Sequence, residues 1–270
     1  MRKGPFPILG RGHSGGRLLC EAYIRAGVRM GQVHPLRKDT AFFAIRNPVI
    51  HEVCMAAFRY PRMGEEARGS LQEKLRSEVE RFHREEIREP GPFGWKIGVT
   101  LFTLPVLLDA FPQARVVHLI RDGRDVMLSR LDARIARLHQ RPVDRLTVLG
   151  DSEATHFRGE PLGPEVIERY RTELELQHWI TAVRFGMQGR SRPGQYLEVR
   201  YEDLCREPVP TLERVFAFLR LPLGDAAREW ISGAARTDRI GKWRALPPET
   251  LEPLIAPARE LLIQLGYITP

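Results

Sequence analysis

The sequence has few cysteines and no long apolar run, and both absences narrow the class of protein. Only three cysteines occur among 270 residues, at positions 20, 54 and 205, and none of them forms a C-x-x-C pair. This odd, widely spaced set argues against a disulfide scaffold and against a zinc site, and it fits a reducing compartment. Neither a membrane-spanning run nor a secretory leader is recognisable. We therefore expect a cytoplasmic protein with no membrane span and no metal.

The charge of the chain is unbalanced toward the positive side. Lys and Arg number 42 and Asp and Glu number 34, which gives a formal net charge of +8. The basic residues are spread along the chain, without a basic tail or an aromatic and glycine-rich RNA-binding pattern. We expect anionic ligands and no nucleic-acid partner. The length and the 43% of hydrophobic residues suit a single domain over residues 1–270.

The beginning of the chain combines a short apolar run, a glycine-rich turn and a helical pattern. Residues 6–9 predict a buried strand, and a helix is expected to follow the turn and to end at Gly27. The turn contains the glycines Gly10, Gly12, Gly15 and Gly16. Strand, glycine-rich turn and helix direct backbone N–H groups and the positive end of a helix toward an anion. The sequence thus predicts a nucleotide phosphate or phosphosulfate site, although a tight turn without a ligand remains the alternative.

The turn departs from the nucleoside triphosphate pattern G-x-x-x-x-G-K-[ST]. Gly10 and Gly15 have the required spacing, but Gly16 and Arg17 stand where that pattern has a lysine and the hydroxyl residue that binds magnesium. A magnesium-dependent kinase or nucleoside triphosphatase is therefore the second hypothesis. A relative that binds a nucleotide without turnover is the third.

Two further strand-to-helix units follow along the chain. Residues 114–120 form a continuous apolar run, as expected of a parallel strand covered on both faces, and a helical repeat is predicted over residues 126–138. Residues 195–199 predict another strand, which precedes a helix over residues 209–219. This alternation predicts a three-layer α/β fold, in which helices flank a central parallel sheet and ligands bind at the carboxyl ends of the strands.

The segments between and after these units carry weaker patterns. Charge density, apolar spacing, and proline and glycine content distinguish them. These patterns predict a solvated helix at residues 64–89, a weaker strand at 94–97 and a short helix at 103–111. They also predict irregular structure at 141–163 and 237–248 and a C-terminal helix at 251–265.

Several segments match one known family, in the same order and over nearly the whole chain. Residues 12–19 and residues 111–129 are similar to the 5′-phosphosulfate loop and the 3′-phosphate segment of the sulfotransferases that depend on 3′-phosphoadenosine 5′-phosphosulfate (PAPS). Residues 196–204, 218–221 and 240–244 also resemble that family. The resemblance implies a P-loop-like sulfotransferase fold of bacterial type. It also implies a transferase that moves a sulfuryl group from PAPS, its co-substrate, to a hydroxyl (or amine) of an unidentified carbohydrate, lipid or small molecule, without a metal.

The resemblance also implies which residues bind the donor. The expected set is Arg11, Gly12, His13, Ser14, Gly15, Gly16, Arg17, Arg121, Ser129, Lys242, Trp243 and Arg244. Arg121 and Ser129 match the family's arginine and serine for the 3′-phosphate. Gly16 and Arg17 replace two hydroxyl residues of the family, and we expect Arg17 to restore a cation.

Three residues are expected to take part in the transfer itself. His13 stands where the family usually has a lysine or arginine, and it can donate to the bridging oxygen. Lys96 matches a lysine that relatives place beside the sulfonate; a surface lysine is the alternative. Asp39 matches an acidic residue near the acceptor and is the candidate general base, with Glu21 and His13 as rivals. Position 98, where some relatives carry a histidine base, is Gly98.

Two groups of polar residues are expected to be structural. Asp122, Arg124 and Asp125 predict an ion-pair network that holds the turn after the second main strand. Tyr201 and its acidic neighbours are expected to brace loops at the end of the third. The sequence leaves the acceptor and the oligomeric state open, a homodimer included.

Overall fold

The computed structural model describes residues 4–131, 135 and 137–269. The strands are β1 (Ile8–Leu9), β2 (Val116–Ile120), β3 (His156–Phe157), β4 (Glu160–Pro161) and β5 (Tyr196–Arg200). The helices are α1 (Gly16–Arg25), α2 (Pro48–Ala57), α3 (Glu65–Phe82), α4 (Leu104–Ala110), α5 (Gly123–Ser129), α6 (Pro142–Leu149), α7 (Pro164–Arg169), α8 (Arg171–Gly186), α9 (Tyr201–Arg206), α10 (Pro208–Leu219), α11 (Asp225–Ala234), α12 (Pro248–Ile255) and α13 (Arg259–Gln264). Contacts group the chain into two units, Met1–Ile120 with Gly186–Thr237 and Arg121–Phe185 with Asp238–Pro270. The single domain predicted from the sequence stays a prediction.

The first unit is built on a parallel sheet in the order β1, β2, β5. Val117 of β2 pairs with Ile8 on one side and with Leu197 on the other. All five residues of β2 are buried, as its apolar run predicts. Its one polar side chain, His118, lies with Nδ1 2.6 Å from the Tyr196 hydroxyl, and burial lowers the pKa of His118 to about 4. The predicted α/β class with a central parallel sheet is confirmed.

The helices α1, α10 and α11 cover one face of this sheet. Their packing holds α1 in place behind the glycine-rich turn. The cluster of buried side chains on that face includes Leu19 and Tyr23 of α1, Phe216 of α10 and Ile231 of α11, packed with Val117 of β2. Tyr23 meets Phe216 edge to face, with ring centroids 5.6 Å apart. Burying each large apolar side chain contributes ~1.5–3 kcal/mol to the free energy of unfolding. The helix after the glycine-rich turn therefore has little freedom to move.

The segment predicted as a weaker strand at 94–97 does not form a regular strand. It lies along β1, where Ile8 N donates to Trp95 O (2.9 Å), but its ladder is reduced to an isolated parallel bridge between Ile8 and Lys96. A 3₁₀ turn begins at Gly98 and ends the extended backbone. Lys96 is therefore fixed by its backbone beside β1.

The helix predicted over residues 64–89 is present as α3, but it is not solvated on all sides. Leu71, Leu75, Val79 and Phe82 are buried along one face. The predictions for residues 103–111, 195–199 and 209–219 are confirmed by α4, β5 and α10.

In the second unit, α5 is shorter than the predicted helix over residues 126–138. It ends at Ser129, because Arg130 leaves the helical conformation and its buried guanidinium pairs with Glu175 of α8 at 3.2 Å. Ile135 and Leu138 belong instead to a small separate core. Residues 132–134 and 136, which also fall in the predicted helix, lie outside the described residues.

The irregular structure predicted at 141–163 is wrong. This stretch contains α6 and an antiparallel pair of short strands, β3 and β4. Pro142 opens α6 at its first turn and Gly150 closes it with φ +78°, so both residues mark the ends of a helix and do not interrupt it.

The predicted C-terminal helix is divided into α12, a 3₁₀ turn over residues 256–258, and α13. Pro257 lies in that turn and has no N–H to continue the helix. In the part of the chain that the structure describes, no helix combines the length and the hydropathy of a membrane span. The cytoplasmic location stays a prediction.

Candidate active site

The glycine-rich turn between β1 and α1 is closed by its own backbone. Ser14 N donates to Arg11 O at 3.1 Å, and Leu18 N donates to Gly15 O at 2.9 Å. His13 and Gly15 have positive φ angles of +73° and +89°. The N-cap residue of α1 is Gly15, which has no side chain that could cap the helix. The N–H groups at the start of a helix point toward an anion bound there, so those of Gly16 and Arg17 are the candidates for this role.

Side chains of the turn differ in exposure. Arg11 and Ser14 are buried, whereas His13 and Arg17 are exposed. The two exposed residues are those that the sequence predicts to supply charge to the donor. Their position at the surface leaves them accessible to a ligand.

Tyr201, the first residue of α9, packs against the turn. A Cβ atom at Gly15 would lie 2.2 Å from Cδ2 of the Tyr201 ring, and the positive φ of Gly15 also disfavours any side chain there. The contact agrees with the bracing role predicted for Tyr201. It explains why this position of the turn is glycine.

Lys96 extends across the first turn of α1. A Cβ atom at Gly16 would lie 2.8 Å from Lys96 Cε, so the space beside Gly16 is filled by the lysine side chain. Lys96 Nζ donates to Asp39 Oδ1 at 2.7 Å and to Arg37 O at 2.9 Å. Only 17% of the Lys96 side chain is exposed. The structure thus brings together two predicted catalytic residues, Lys96 and Asp39, and places the lysine against Gly16.

Thr40 anchors this pair, and sequence reasoning missed it. Its hydroxyl accepts a hydrogen bond from Lys96 N (3.1 Å) and donates to Met30 O (3.2 Å), while Thr40 N donates to Lys96 O (2.8 Å). Thr40 is fully buried. The one feature of the sequence that could have indicated Thr40 is its position directly after Asp39.

Gly98 lies against the glycine-rich turn. A Cβ atom there would be 3.3 Å from Gly10 O and 3.5 Å from Gly12 N. A side chain at this position would press on the backbone of the turn. The space that some relatives give to a histidine base is therefore tight in this chain.

Glu21, a rival candidate for the general base, is ion-paired on both sides. Lys38 Nζ lies 3.0 Å from one carboxylate oxygen, and Arg25 Nε lies 3.1 Å from the other. The neighbouring thiol of Cys20 contacts Lys38 O at 3.7 Å, and burial raises its pKa to about 12. Cys20 is a neutral thiol near pH 7 and is not an activated nucleophile.

Arg121, the first residue after β2, is held inside the second unit. Its guanidinium donates to Arg239 O at 2.5 Å and lies 3.7 Å from Asp125 Oδ2. Trp179 Nε1 donates to Arg121 O at 3.0 Å. Ser129, at the end of α5, is exposed.

The ion-pair network predicted for the turn also organises the segment at 241–244. Asp125 accepts hydrogen bonds from Gly241 N (2.7 Å) and Trp243 N (3.3 Å). This second task of Asp125 was not predicted, because nothing in the sequence near Asp125 indicates a partner 116 residues away.

Trp243 lies between two guanidinium groups. Arg124 is 3.6 Å from the centre of its ring and Arg244 is 4.8 Å away. Arg124 is itself fixed by Asp122 (2.7 Å) and by Tyr267 O (3.0 Å). Lys242 and Arg244 are exposed, so this segment presents a rigid base and two accessible cations.

Comparison with known proteins identifies one family. The model of the sulfotransferase family matches residues 41–225. This range includes Lys96, Arg121 and Ser129, but not the glycine-rich turn or the segment at 241–244.

Curated relatives are similar over about half of the chain. Human carbohydrate sulfotransferase 5 is 32% identical over 145 residues, which cover 51% of this chain and 31% of that protein. Human carbohydrate sulfotransferase 1 is 42% identical over 133 residues, which cover 47% and 28%. The chain spans about a third of the length of the curated relatives that it matches.

Solved structures are similar to this chain over nearly its whole length. The sulfotransferase domain from the curacin biosynthetic pathway gives a TM-score of 0.57 at 16% identity and covers 100% of both chains. Mouse sulfotransferase SULT7A1 in complex with PAP gives 0.52 at 13% identity and covers 98% of this chain and 84% of that one. The predicted P-loop-like sulfotransferase fold is confirmed.

Proposed function

The chain belongs to the sulfotransferase family, and from this premise we propose that it transfers a sulfuryl group from PAPS to a hydroxyl or amine of a carbohydrate, a lipid or another small acceptor. The observation that carries the proposal is the position of Lys96, whose side chain lies against Gly16 at the start of α1. A lysine from another segment thereby adds a cation beside a turn that has no lysine of its own. The curated relatives named above are carbohydrate sulfotransferases, and this similarity favours a carbohydrate as the first acceptor to test.

Each of the two units, taken by itself, contains groups that suit an anionic ligand. In the first unit, the N–H groups of the turn and Lys96 suit the 5′-phosphosulfate. In the second unit, we assign the 3′-phosphate to Arg121 and Ser129 and further phosphate contacts to Lys242 and Arg244. Planar guanidinium groups match phosphate oxygens better than ammonium groups do, which suits the arginines to this role.

The residues of the first unit can perform the transfer without a covalent intermediate. When bound, PAPS supplies the sulfuryl group, and its transfer breaks the bond from sulfur to the phosphate oxygen and leaves negative charge on that oxygen. Lys96 stabilises this charge through its ammonium group, and the N–H groups of α1 act in the same sense. Asp39 accepts the proton of the acceptor hydroxyl while the acceptor oxygen bonds to sulfur. The hydrogen bond from Lys96 Nζ orients the Asp39 carboxylate for that step.

Transfer is expected to proceed in the presence of a chelator. Purified protein is incubated with PAPS, EDTA and separate acceptors drawn from sugars, lipids, phenols and peptides, and the products are identified by mass spectrometry. A sulfated acceptor together with 3′-phosphoadenosine 5′-phosphate (PAP), which is the donor without its sulfuryl group, supports the proposal. ATP turnover that requires magnesium, without any sulfated product, would identify the kinase or triphosphatase instead. Tight binding of PAP with no turnover of any donor would identify the non-catalytic relative.

Arg121→Ala is expected to remove most of the preference for PAP over ADP. Both nucleotides carry two phosphates, but the second phosphate of PAP is on the 3′ oxygen and that of ADP is on the 5′-phosphate. A lost charge-assisted contact to the 3′-phosphate costs ~1.5–3 kcal/mol, or about 10- to 150-fold in affinity. Calorimetry with both nucleotides measures the effect, and Arg141→Ala, an exposed arginine of the same unit that pairs with Asp144, is the matched control. Equal affinity of the unchanged protein for PAP and ADP would contradict the assignment.

A further inference from the structure

The loop that carries Asp39 is held partly by an imidazole ring. His34 Nδ1 accepts hydrogen bonds from the backbone N–H groups of Leu36 and Arg37, both at 3.2 Å. The backbone of the same residue closes the ends of the loop, because His34 N donates to Asp39 O (2.9 Å) and Lys38 N donates to His34 O (2.8 Å). The side chain of His34 therefore orders the middle of the loop, at residues 36 and 37.

This arrangement specifies the protonation state of His34. Two N–H donors converge on Nδ1, so Nδ1 must present a lone pair and the ring proton must be on Nε2. A protonated imidazole donates from both nitrogens and cannot accept either bond. The two backbone N–H groups would then face a third donor and lose their acceptor, whereas the backbone bonds of His34 would remain.

The loop closed by His34 supplies both acceptors of Lys96 Nζ. These are the carbonyl oxygen of Arg37 (2.9 Å) and the carboxylate of Asp39 (2.7 Å). The base of the loop is fixed separately, by the antiparallel bridge between Val33 and Thr40. Opening residues 35–38 would therefore withdraw Arg37 O from Lys96 Nζ and leave Asp39 as its remaining acceptor in the loop, while the base of the loop stays in place.

We propose that His34 is a positioning residue, which holds Arg37 O against Lys96 through the two hydrogen bonds that its Nδ1 accepts from the backbone of residues 36 and 37. The kinetic consequence rests on the sulfuryl transfer proposed above, whereas the effect on the loop does not. Loss of the two bonds thus disorders the geometry of the Lys96–Asp39 pair.

Hydrogen exchange of residues 34–40 tests the loop without any substrate. His34→Asn offers an oxygen acceptor of the kind found in Asx turns and cannot be protonated, whereas His34→Ala offers none. At pH 7.5 we expect the amides of Leu36 and Arg37 to lose about tenfold of their protection in His34→Ala and to keep it in His34→Asn. Equal protection in the unchanged protein and in His34→Ala at pH 7.5 would overturn the proposal.

The rate of sulfuryl transfer tests the catalytic consequence. His34→Ala should lower kcat about tenfold at pH 7.5 with the KM for PAPS nearly unchanged, because the lysine is misplaced but the phosphate contacts remain. His34→Asn should keep its rate, and so should His51→Ala, which removes an exposed histidine of α2. A kcat in His34→Ala equal to that of the unchanged protein would overturn the positioning role, whereas absence of transfer from every variant and from the unchanged protein would refute only the proposed function.

Discussion

Lys96→Ala is expected to lower the rate of sulfuryl transfer by about 10²-fold or more while the affinity for PAP changes little. The ammonium group lies against the start of α1 and gains most when negative charge develops on the leaving oxygen, so its loss raises the barrier more than it weakens binding. Single-turnover rates and calorimetry with PAP separate the two effects. Lys96→Met, which keeps much of the apolar stem beside Gly16, should show the same loss of rate.

Lys38→Ala is the matched control for this experiment. Lys38 is a neighbouring, partly buried lysine that pairs with Glu21 and not with Asp39. A partly exposed ion pair contributes little to stability, so the transfer rate of Lys38→Ala should stay within about threefold of that of the unchanged protein. If Lys96→Ala keeps its turnover and loses affinity for PAP instead, Lys96 is a binding residue and has no special role in the transition state.

Asp39→Asn is expected to abolish transfer to every acceptor, with a loss of about 10²- to 10⁴-fold, while the fold and nucleotide binding are retained. The amide oxygen of Asn can still accept the hydrogen bond that Asp39 Oδ1 accepts from Lys96 Nζ (2.7 Å), but the amide cannot take a proton from the acceptor. The substitution therefore separates two roles. A base is lost, whereas an anchor for Lys96 is kept.

The outcome is read by comparison with substitutions of the rival bases. Glu21→Gln removes a carboxylate of the same cluster that is ion-paired to Lys38 and Arg25, and it should leave most of the rate. Near-normal turnover by Asp39→Asn would show that Asp39 only anchors Lys96. The role of the base would then pass to Glu21 or His13, and the variant of those two that loses transfer would identify it.

The elements with a strong local pattern were predictable from the sequence. The apolar run of β2 and the helical repeat of α10 require only local reading, because burial on both faces or on one face leaves a direct mark on residue order. The helix boundaries were harder. Pro142 and Gly150 look like interruptions in the sequence, and only the structure shows that they are the two ends of α6.

The pairing of Lys96 with Asp39 could not be predicted in the same way. The two residues are 57 positions apart, and they meet because Thr40 is bonded through its hydroxyl and its N–H to the backbone of Lys96. The sequence identified both residues separately, through resemblance to the family. The contact between them, and the closure of the loop by His34, depend on bonds that no spacing in the sequence indicates.

The close approach of Lys96 to Gly16 means that a side chain at position 16 and the present path of the lysine would compete for one space. A Cβ atom at Gly16 would lie 2.8 Å from Lys96 Cε, which is the far end of a flexible side chain, so a larger residue would displace the lysine and leave the backbone of the turn intact. That displacement would carry Nζ away from Arg37 O and Asp39. The residue at position 16 therefore acts as a spacer that sets how far the ammonium group reaches over the turn.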